Sequence, residues 1–482
     1  MATQSKPSTR ELRKQRFQRP QRGWKRLRAV LKAFEDGKYM KYNSVLGFGG
    51  FGIVTDWDIL GADGNPYRSI AMKTAVDKEK QSTIDALKRE IWWTKRFTGS
   101  EHLIQLADLD EGVMKAANIN DENTAGLPNM AMEKMGRGSL YLLMKRLGYS
   151  SGFNNDIPND MRLMEYIPNR TLWQIFLCLT RAVIGMAYPS QDPLSRKNMS
   201  IRESTEGIPP GYPATRLVHC DIDVQNIFVA DPKDYPPDDE HRWAPIIKIA
   251  DYGCMVEWSD GWDQKQKLKS LWGKRAYKAP EQFAPRCFVP FAMGPATNIY
   301  QIGQTMHDLI TLKPIKFAQR MATYRTANGL YFATHGWRVL PDQDYNISDD
   351  WLNVDRGLRE LVAGCMADSP LDRPSAELLE LYIRGHIAHL DRQAAIEAAK
   401  PVLNPAASVF IPGQGFVSSQ PPPPPPRPKD AYKKRMPHGQ AEPDWLLQKF
   451  FNDYFVEDWS EPDWYEDCWA KKTLTPEESS NA

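Results

Sequence analysis

The chain has 482 residues, with 62 Lys and Arg against 60 Asp and Glu, 41% hydrophobic and 25% charged residues, the balance of a soluble globular protein. A mean hydropathy of −0.55 argues against a membrane protein, and the most apolar stretch, 172–188, is broken by Gln174, Thr180 and Arg181, short of the ~20 apolar residues of a bilayer span. At about 150 residues per domain the length allows three units, or one large two-lobed domain with tails.

The first 32 residues hold eleven Lys or Arg and one acid, while residues 438–482 carry eleven acids and three lysines. The near-neutral total therefore conceals a basic head and an acidic tail. In the head, residues 1–37, Trp24, Leu27, Val30, Leu31 and Phe34 recur at helical spacing among Lys and Arg, which predicts an amphipathic helix. It could meet nucleic acid or an anionic surface, or dock its apolar stripe on its own domain. The head lacks the apolar h-region of a secretory signal, so an intracellular protein, cytoplasmic or nuclear, is expected.

Residues 42–54 read as a strand, a glycine turn and a second strand, with Gly47, Gly49, Gly52 and Val54 in the pattern G-x-G-x-x-G-x-V. Glycines let a backbone approach a polyphosphate closely and donate N–H groups to it. The loop leads into a strand and not a helix, against a dinucleotide fold. After the turn 61–66 comes Ile70-Ala71-Met72 and then Lys73, a cation at the end of a buried strand that needs phosphate or carboxylate. The helix predicted from about Glu79 to Phe97 offers Glu90.

Further along, His219-Cys220-Asp221-Ile222-Asp223-Val224-Gln225-Asn226 precedes the apolar run 227–229, and a second run, 246–250, ends in Asp251-Tyr252-Gly253. An acid just past a strand beside an Asn supplies hard oxygen ligands suited to Mg2+ and nucleotide phosphates. Ala279-Pro280-Glu281 closes a segment of 25 residues after Gly253.

In this order and spacing the elements resemble the eukaryotic protein kinase superfamily over roughly residues 38–392, with divergence similar to that of kinase-like proteins of filamentous fungi. The resemblance implies an α+β, two-lobed fold: a small antiparallel sheet with one helix, about 38–135, and a larger, mainly helical lobe, about 136–392. It implies an ATP- and Mg2+-dependent enzyme that phosphorylates a protein hydroxyl, Ser or Thr, with a nucleotide-binding pseudokinase scaffold as the alternative. Gly47, Gly49 and Gly52 would cover the phosphates, Lys73 hold them and Glu90 orient Lys73. Asp221 would be the catalytic base, Asn226 and Asp251 the metal ligands. Met132 would stand beside adenine, Glu133 to Met135 would bind it through their backbone, and Val54 and Ala71 would sandwich the base. Glu281 would pair with Arg373. Candidate helices at Thr171 to Tyr188 and Ala296 to Leu312 suit the second lobe.

Departures from the family pattern are informative. Cys220 replaces the usual arginine before the catalytic Asp, which implies either a change in regulation or a loss of activity. Asp223 stands where Ser/Thr kinases usually carry a lysine that steadies the γ-phosphate, and Lys274 stands where they carry a threonine. The two positions look exchanged in charge, which predicts that Lys274 pairs with Asp223 and restores a cation near the γ-phosphate. Tyr252 replaces Phe and needs a partner for its hydroxyl, and Asn298 replaces a structural Asp. Two polar insertions, near 112–127 and 189–215, are expected to be surface loops.

Within a Pro-rich linker, 393–437, Pro421 to Arg427 is expected to be extended polyproline, either a spacer or a ligand for a proline-recognition domain. The acidic, aromatic tail 438–482 repeats Glu442-Pro443-Asp444-Trp445 as Glu461-Pro462-Asp463-Trp464, and reads as a separate element: an interaction motif or a segment clamped on its own body. The cysteines at 178, 220, 254, 287, 365 and 468 are widely spaced, with no C-x-x-C pair and no metal-ligand spacing, as expected for a reduced protein. Cys254, beside the metal-binding turn, is either a reactive or a buried inert thiol.

Overall fold

The computed structural model describes residues 39–459 apart from 49–51, 76–80, 112–113, 115–117, 154–161, 191, 193–195, 197–198, 210, 290–292, 315–319, 326–328, 330, 341–350, 400–409, 412–414, 417–433 and 438. The basic head, Gly49, the proline run, Cys468 and the second copy of the tail repeat lie outside the described residues.

Four antiparallel strands, β1 (Met40–Phe48), β2 (Gly52–Leu60), β3 (Pro66–Ala75) and β4 (Asn129–Glu133), form one sheet in chain order. The β2–β3 turn closes on Gly64 at φ 77°, with the Asp63 carboxylate accepting the Asn65 N–H at 3.1 Å, a turn in which only glycine is unstrained. Strand alternation then sorts the side chains. Ile70 and Met72 pack with Met40, Trp57 and Ile59 on one face. Ala71 and Lys73 take the other, where register places Val54 and Met130 opposite Lys73 and Met132 opposite Ala71. Helix α1 (Gln81–Arg96) lays Leu87 and Ile91 on Ala75 and Met130, so Glu90 faces the end of β3.

The helical body is built around α3 (Asn169–Ala187), whose residues from Arg170 on are all buried. A helix buried on every side sits inside a core, and its polar Arg170, Gln174 and Arg181 are tolerated there because each has a partner. Helices α2 (Leu140–Phe153), α5 (Pro295–Thr311), α6 (Arg356–Cys365) and α7 (Ala376–Ala399) contribute to the same core, and the short α4 (Gln264–Lys269) lies before Lys274. Short strands β5 (Leu217–Val218), β6 (Ile227–Val229), β7 (Ile247–Ile249) and β8 (Val256–Glu257) pair as β5–β8 and β6–β7, and they frame the segments bearing Asp221 and Asp251. Among the described residues no helix is long and apolar enough to cross a membrane.

Three segments are held closer to the body than composition alone reveals. The surface loop expected over 189–215 is exposed or half-buried at its described residues except Glu203, which anchors it: Ile201 bridges to Ser100, and Glu203 is bonded to His102 while its carbonyl accepts from Arg181. Within 112–127, Ile119 is buried with the β2–β3 core and Asn120 with it. The polar side chains there are inside because each finds a partner, which composition does not reveal.

The described part of the tail takes the second of its two expected forms, a segment clamped on its own body. Helix α8 (Asp444–Phe451) and the turn after it bury Leu446, Leu447, Phe450, Phe451, Tyr454 and Phe455, in large part within the main core. Glu442 closes the start of α3: its carboxylate accepts the backbone N–H groups of Asn169 at 2.8 Å and Arg170 at 3.0 Å. Helix α3 begins after Pro168, which offers no capping side chain, so a residue far along the chain satisfies N–H groups left over at every helix start. Asp444 adds an ion pair to Arg170 at 2.8 Å. Apolar burial supplies the docking energy, and the charges orient it.

Candidate active site

The Lys73 ammonium is the hub of the site. It donates to both carboxylate oxygens of Glu90, at 2.9 and 2.7 Å, and to Asp251 Oδ1 at 2.9 Å. Burial pulls its pKa down, but the carboxylates of Asp251 and Glu90 outweigh burial and the net shift is upward, so Lys73 stays cationic. Burial alone would raise the Asp251 carboxyl; the Lys73 charge reverses this and leaves it below its ordinary value. Both groups therefore carry full charge at neutral pH, as phosphate and metal binding require.

Asp251 has φ 68° and ψ 64°, a left-handed conformation costly for a non-glycine residue and frequent at functional sites. Its neighbours fix it. Tyr252 is fully buried between Phe97 and His219, and its hydroxyl donates to Ile249 O at 2.8 Å, the partner a tyrosine at that position needs. Cys254 is a buried thiol pushed up to about 12 by burial, then by Asp221 and Asp251, which makes it a poor nucleophile.

Asp221 is held from two sides. Its Oδ2 accepts from the Asn226 amide at 3.0 Å and its Oδ1 from the Lys274 backbone N–H at 2.8 Å. The Asn226 nitrogen is thus spent on Asp221, which turns its amide oxygen, the atom a metal ion would take, to the opposite side. Asn226 O accepts the Ala250 N–H at 2.9 Å, tying this loop to the strand that carries Asp251. His219 Nδ1 lies 3.3 Å from the Asp221 N–H and Nε2 lies 3.2 Å from Ala250 O, which fixes the tautomer with hydrogen on Nε2. Asn298 Oδ1 accepts the His219 N–H at 3.0 Å and its Nδ2 donates to Leu217 O at 2.9 Å. An asparagine does both, where an aspartate could only accept.

The exchanged charges meet. Lys274 Nζ pairs with Asp223 Oδ2 and donates to Gln225 Oε1 at 3.1 Å. Burial raises the Asp223 carboxyl, and Lys274 is the strongest opposing pull. Sequence reasoning missed Gln225, and it missed why Gly273 precedes Lys274. Gly273 has φ 95°, and a Cβ there would stand 1.8 Å from the carbonyl oxygen of Cys220. Only glycine lets the two backbones touch, which brings the Lys274 N–H onto Asp221; its place directly before Lys274 was the available signal.

The Glu133 N–H donates to Gln105 O at 3.1 Å, and its side chain turns inward to Lys248, at 2.8 and 3.0 Å, and to Tyr235, anchoring β4 to β7. Met135 packs partly buried against the main core, and its carbonyl accepts the Gly138 N–H at 3.1 Å. Lys134 pairs with Asp56 of β2 at 2.8 Å. Gly47, near the end of β1, and Gly52, at the start of β2, lie on either side of the turn of the β1–β2 hairpin, and a Cβ at Gly52 would press to 2.7 Å from Thr74 O. Arg373 donates to Glu281 at 2.7 and 2.8 Å, a fully buried pair at the end of the segment that carries Lys274.

The oxygens of Asp251 and Asn226 suit a hard divalent cation such as Mg2+, and Lys73 suits a nucleotide phosphate. Residues 199–381 match the family model described as Protein kinase domain. That stretch holds Asp221, Asn226, Asp251, Lys274, Glu281 and Arg373, and ends short of the sheet with Lys73. No curated protein matches the chain.

Proposed function

We propose that this chain, a member of the protein kinase superfamily, is an active two-lobed kinase that transfers the γ-phosphate of ATP to a serine or threonine hydroxyl of a protein. The observation that carries this reading is the continuous contact from Glu90 through Lys73 to Asp251, at 2.7 and 2.9 Å, which assembles the phosphate anchor and the metal ligand from three distant segments. Such preorganised charge is the main catalytic resource in phosphoryl transfer.

The adenine would lie against Val54 and Ala71, beside Met132, with the backbone of Glu133 and Met135 as its hydrogen-bonding edge. The glycine hairpin at Gly47, Gly49 and Gly52 would cover the phosphates, and Lys73 would hold them. Mg2+, held by Asp251 and Asn226, would neutralise charge on the phosphates. Asp221, held still by Asn226 and the Lys274 N–H, accepts the proton of the attacking hydroxyl. Lys274, anchored by Asp223 and Gln225, supplies the cation at the transferring group.

The test is transfer of labelled γ-phosphate from ATP with Mg2+ to the chain itself and to a generic basic protein, beside Asp221→Asn. Transfer lost in the variant, with label on serine or threonine, supports the proposal. No transfer by wild type, with ATP and Mg2+ still raising its melting temperature, would make the chain a nucleotide-binding scaffold.

A further inference from the structure

Away from the site, three residues with no proximity in sequence meet in the core. His102 follows α1, Cys178 lies within α3 and His241 precedes β7. All three are buried, and their ligand-capable atoms lie within 4.8 Å of one another. The imidazoles face each other through Nε2, 3.2 Å apart. Their other nitrogens each meet a carboxylate: His102 Nδ1 at 2.7 Å from Glu203 and His241 Nδ1 at 2.9 Å from Asp238.

A neutral imidazole whose Nδ1 carries hydrogen toward a carboxylate presents a lone pair at Nε2. Two such lone pairs 3.2 Å apart repel unless a positive centre lies between them. The carboxylate–histidine arrangement is also the one that orients and strengthens histidine ligands of metal ions. Ligand nitrogens on a tetrahedron with bonds of about 2.0–2.1 Å stand roughly 3.3 Å apart, close to the separation found here.

The surrounding charge points the same way. Glu101, Asp238 and Glu240 stand around the cluster, against the guanidiniums of Arg181 and Arg202, and Arg181 is shared with Glu380. Burial raises the Glu203 carboxyl to about 7, and a divalent cation at the imidazoles would favour its charged form.

We propose that His102, Cys178 and His241 bind a structural zinc ion, with the fourth position taken by water or a neighbouring carboxylate. Thiolate with imidazole selects Zn2+ over Mg2+ or Ca2+. On binding, the Cys178 thiol gives up its proton to solvent and its sulfur closes on the metal. The ion would fasten the loop after α1, the helix that carries Glu90, to α3 of the helical body. Nothing in this proposal depends on kinase activity.

The test uses the full chain. Wild type is expected to contain about one equivalent of zinc by mass spectrometry. Its melting temperature should fall on chelation and return with Zn2+ but not Mg2+. Cobalt added to the chelated protein should give tetrahedral visible bands and a thiolate-to-metal charge-transfer band, and Cys178→Ser should lose the latter while His241→Gln loses most of the metal. If either variant fails to fold, the wild-type equivalents and cobalt spectrum decide. A folded, chelated wild type that takes up neither zinc nor cobalt would overturn the proposal and leave the histidines sharing a proton; so would metal retained equally by both variants.

Discussion

Replacing Lys274 by alanine probes the exchanged charges directly. The Asp223 side chain is 1% exposed and that of Lys274 41%, so the carboxylate is fixed in the wall while the lysine stays partly open to solvent. Alanine leaves Asp223 with the Gln225 N–H at 2.8 Å and the Asn226 amide at 3.5 Å. Loss of one preorganised group that stabilises transition-state charge costs about 2.7–4 kcal/mol, roughly 10²–10³ in kcat. The base should stay in place, because Lys274 holds Asp221 through its backbone N–H at 2.8 Å, which alanine keeps. Steady-state γ-phosphate transfer is measured for wild type, Lys274→Ala, Asp223→Asn and the double variant. We expect Lys274→Ala to lose ~10²–10³ in kcat with KM for ATP little changed, and the double variant to be no faster. Wild-type turnover by Lys274→Ala would refute the reasoning, and recovery in the double variant would reduce Lys274 to a neutraliser of Asp223.

Glu442→Ala should cost ~1–2 kcal/mol in denaturant unfolding, the usual value of an N-cap, and Glu442→Gln should lose less. Burial raises the Glu442 carboxyl above 4.5, so just above that pH the native state keeps a proton the unfolded chain has lost. Wild-type stability relative to Glu442→Gln should therefore fall as pH rises from 4.5 through the native value. Arg373→Ala leaves Glu281 charged in the core and should cost ~3–5 kcal/mol, read as a lower denaturation midpoint. Gly273→Ala forces the Cys220 contact apart; phosphate transfer should drop by ~10²-fold while far-ultraviolet circular dichroism stays unchanged.

The site was legible where chemistry dictates residue type. Phosphate and metal ions need glycine, lysine and paired oxygens at fixed places, and strand alternation then aligns Val54, Ala71 and Lys73 on one face. Even the Asp223–Lys274 pair could be read, since both residues fall within recognisable segments. What could not be read depends on distant partners. Polar Glu203 looks exposed until Arg181 and His102 are seen beside it. Nothing local to α3 announces that Glu442 caps it, and the wide cysteine spacing that argued against a metal site says nothing about histidines arriving from two other segments.

The docking of the tail also sets an order in time. Helix α3 leaves the ribosome long before its cap exists: at ~5–20 residues per second, the roughly 250 residues between them take tens of seconds. Throughout that interval the core residues that pack against Phe450 and Tyr454 lack them. The segment made last thus completes a core begun much earlier in the chain, and a chain cut before Glu442 should keep α3 uncapped and its core partly uncovered, read as a lower denaturation midpoint.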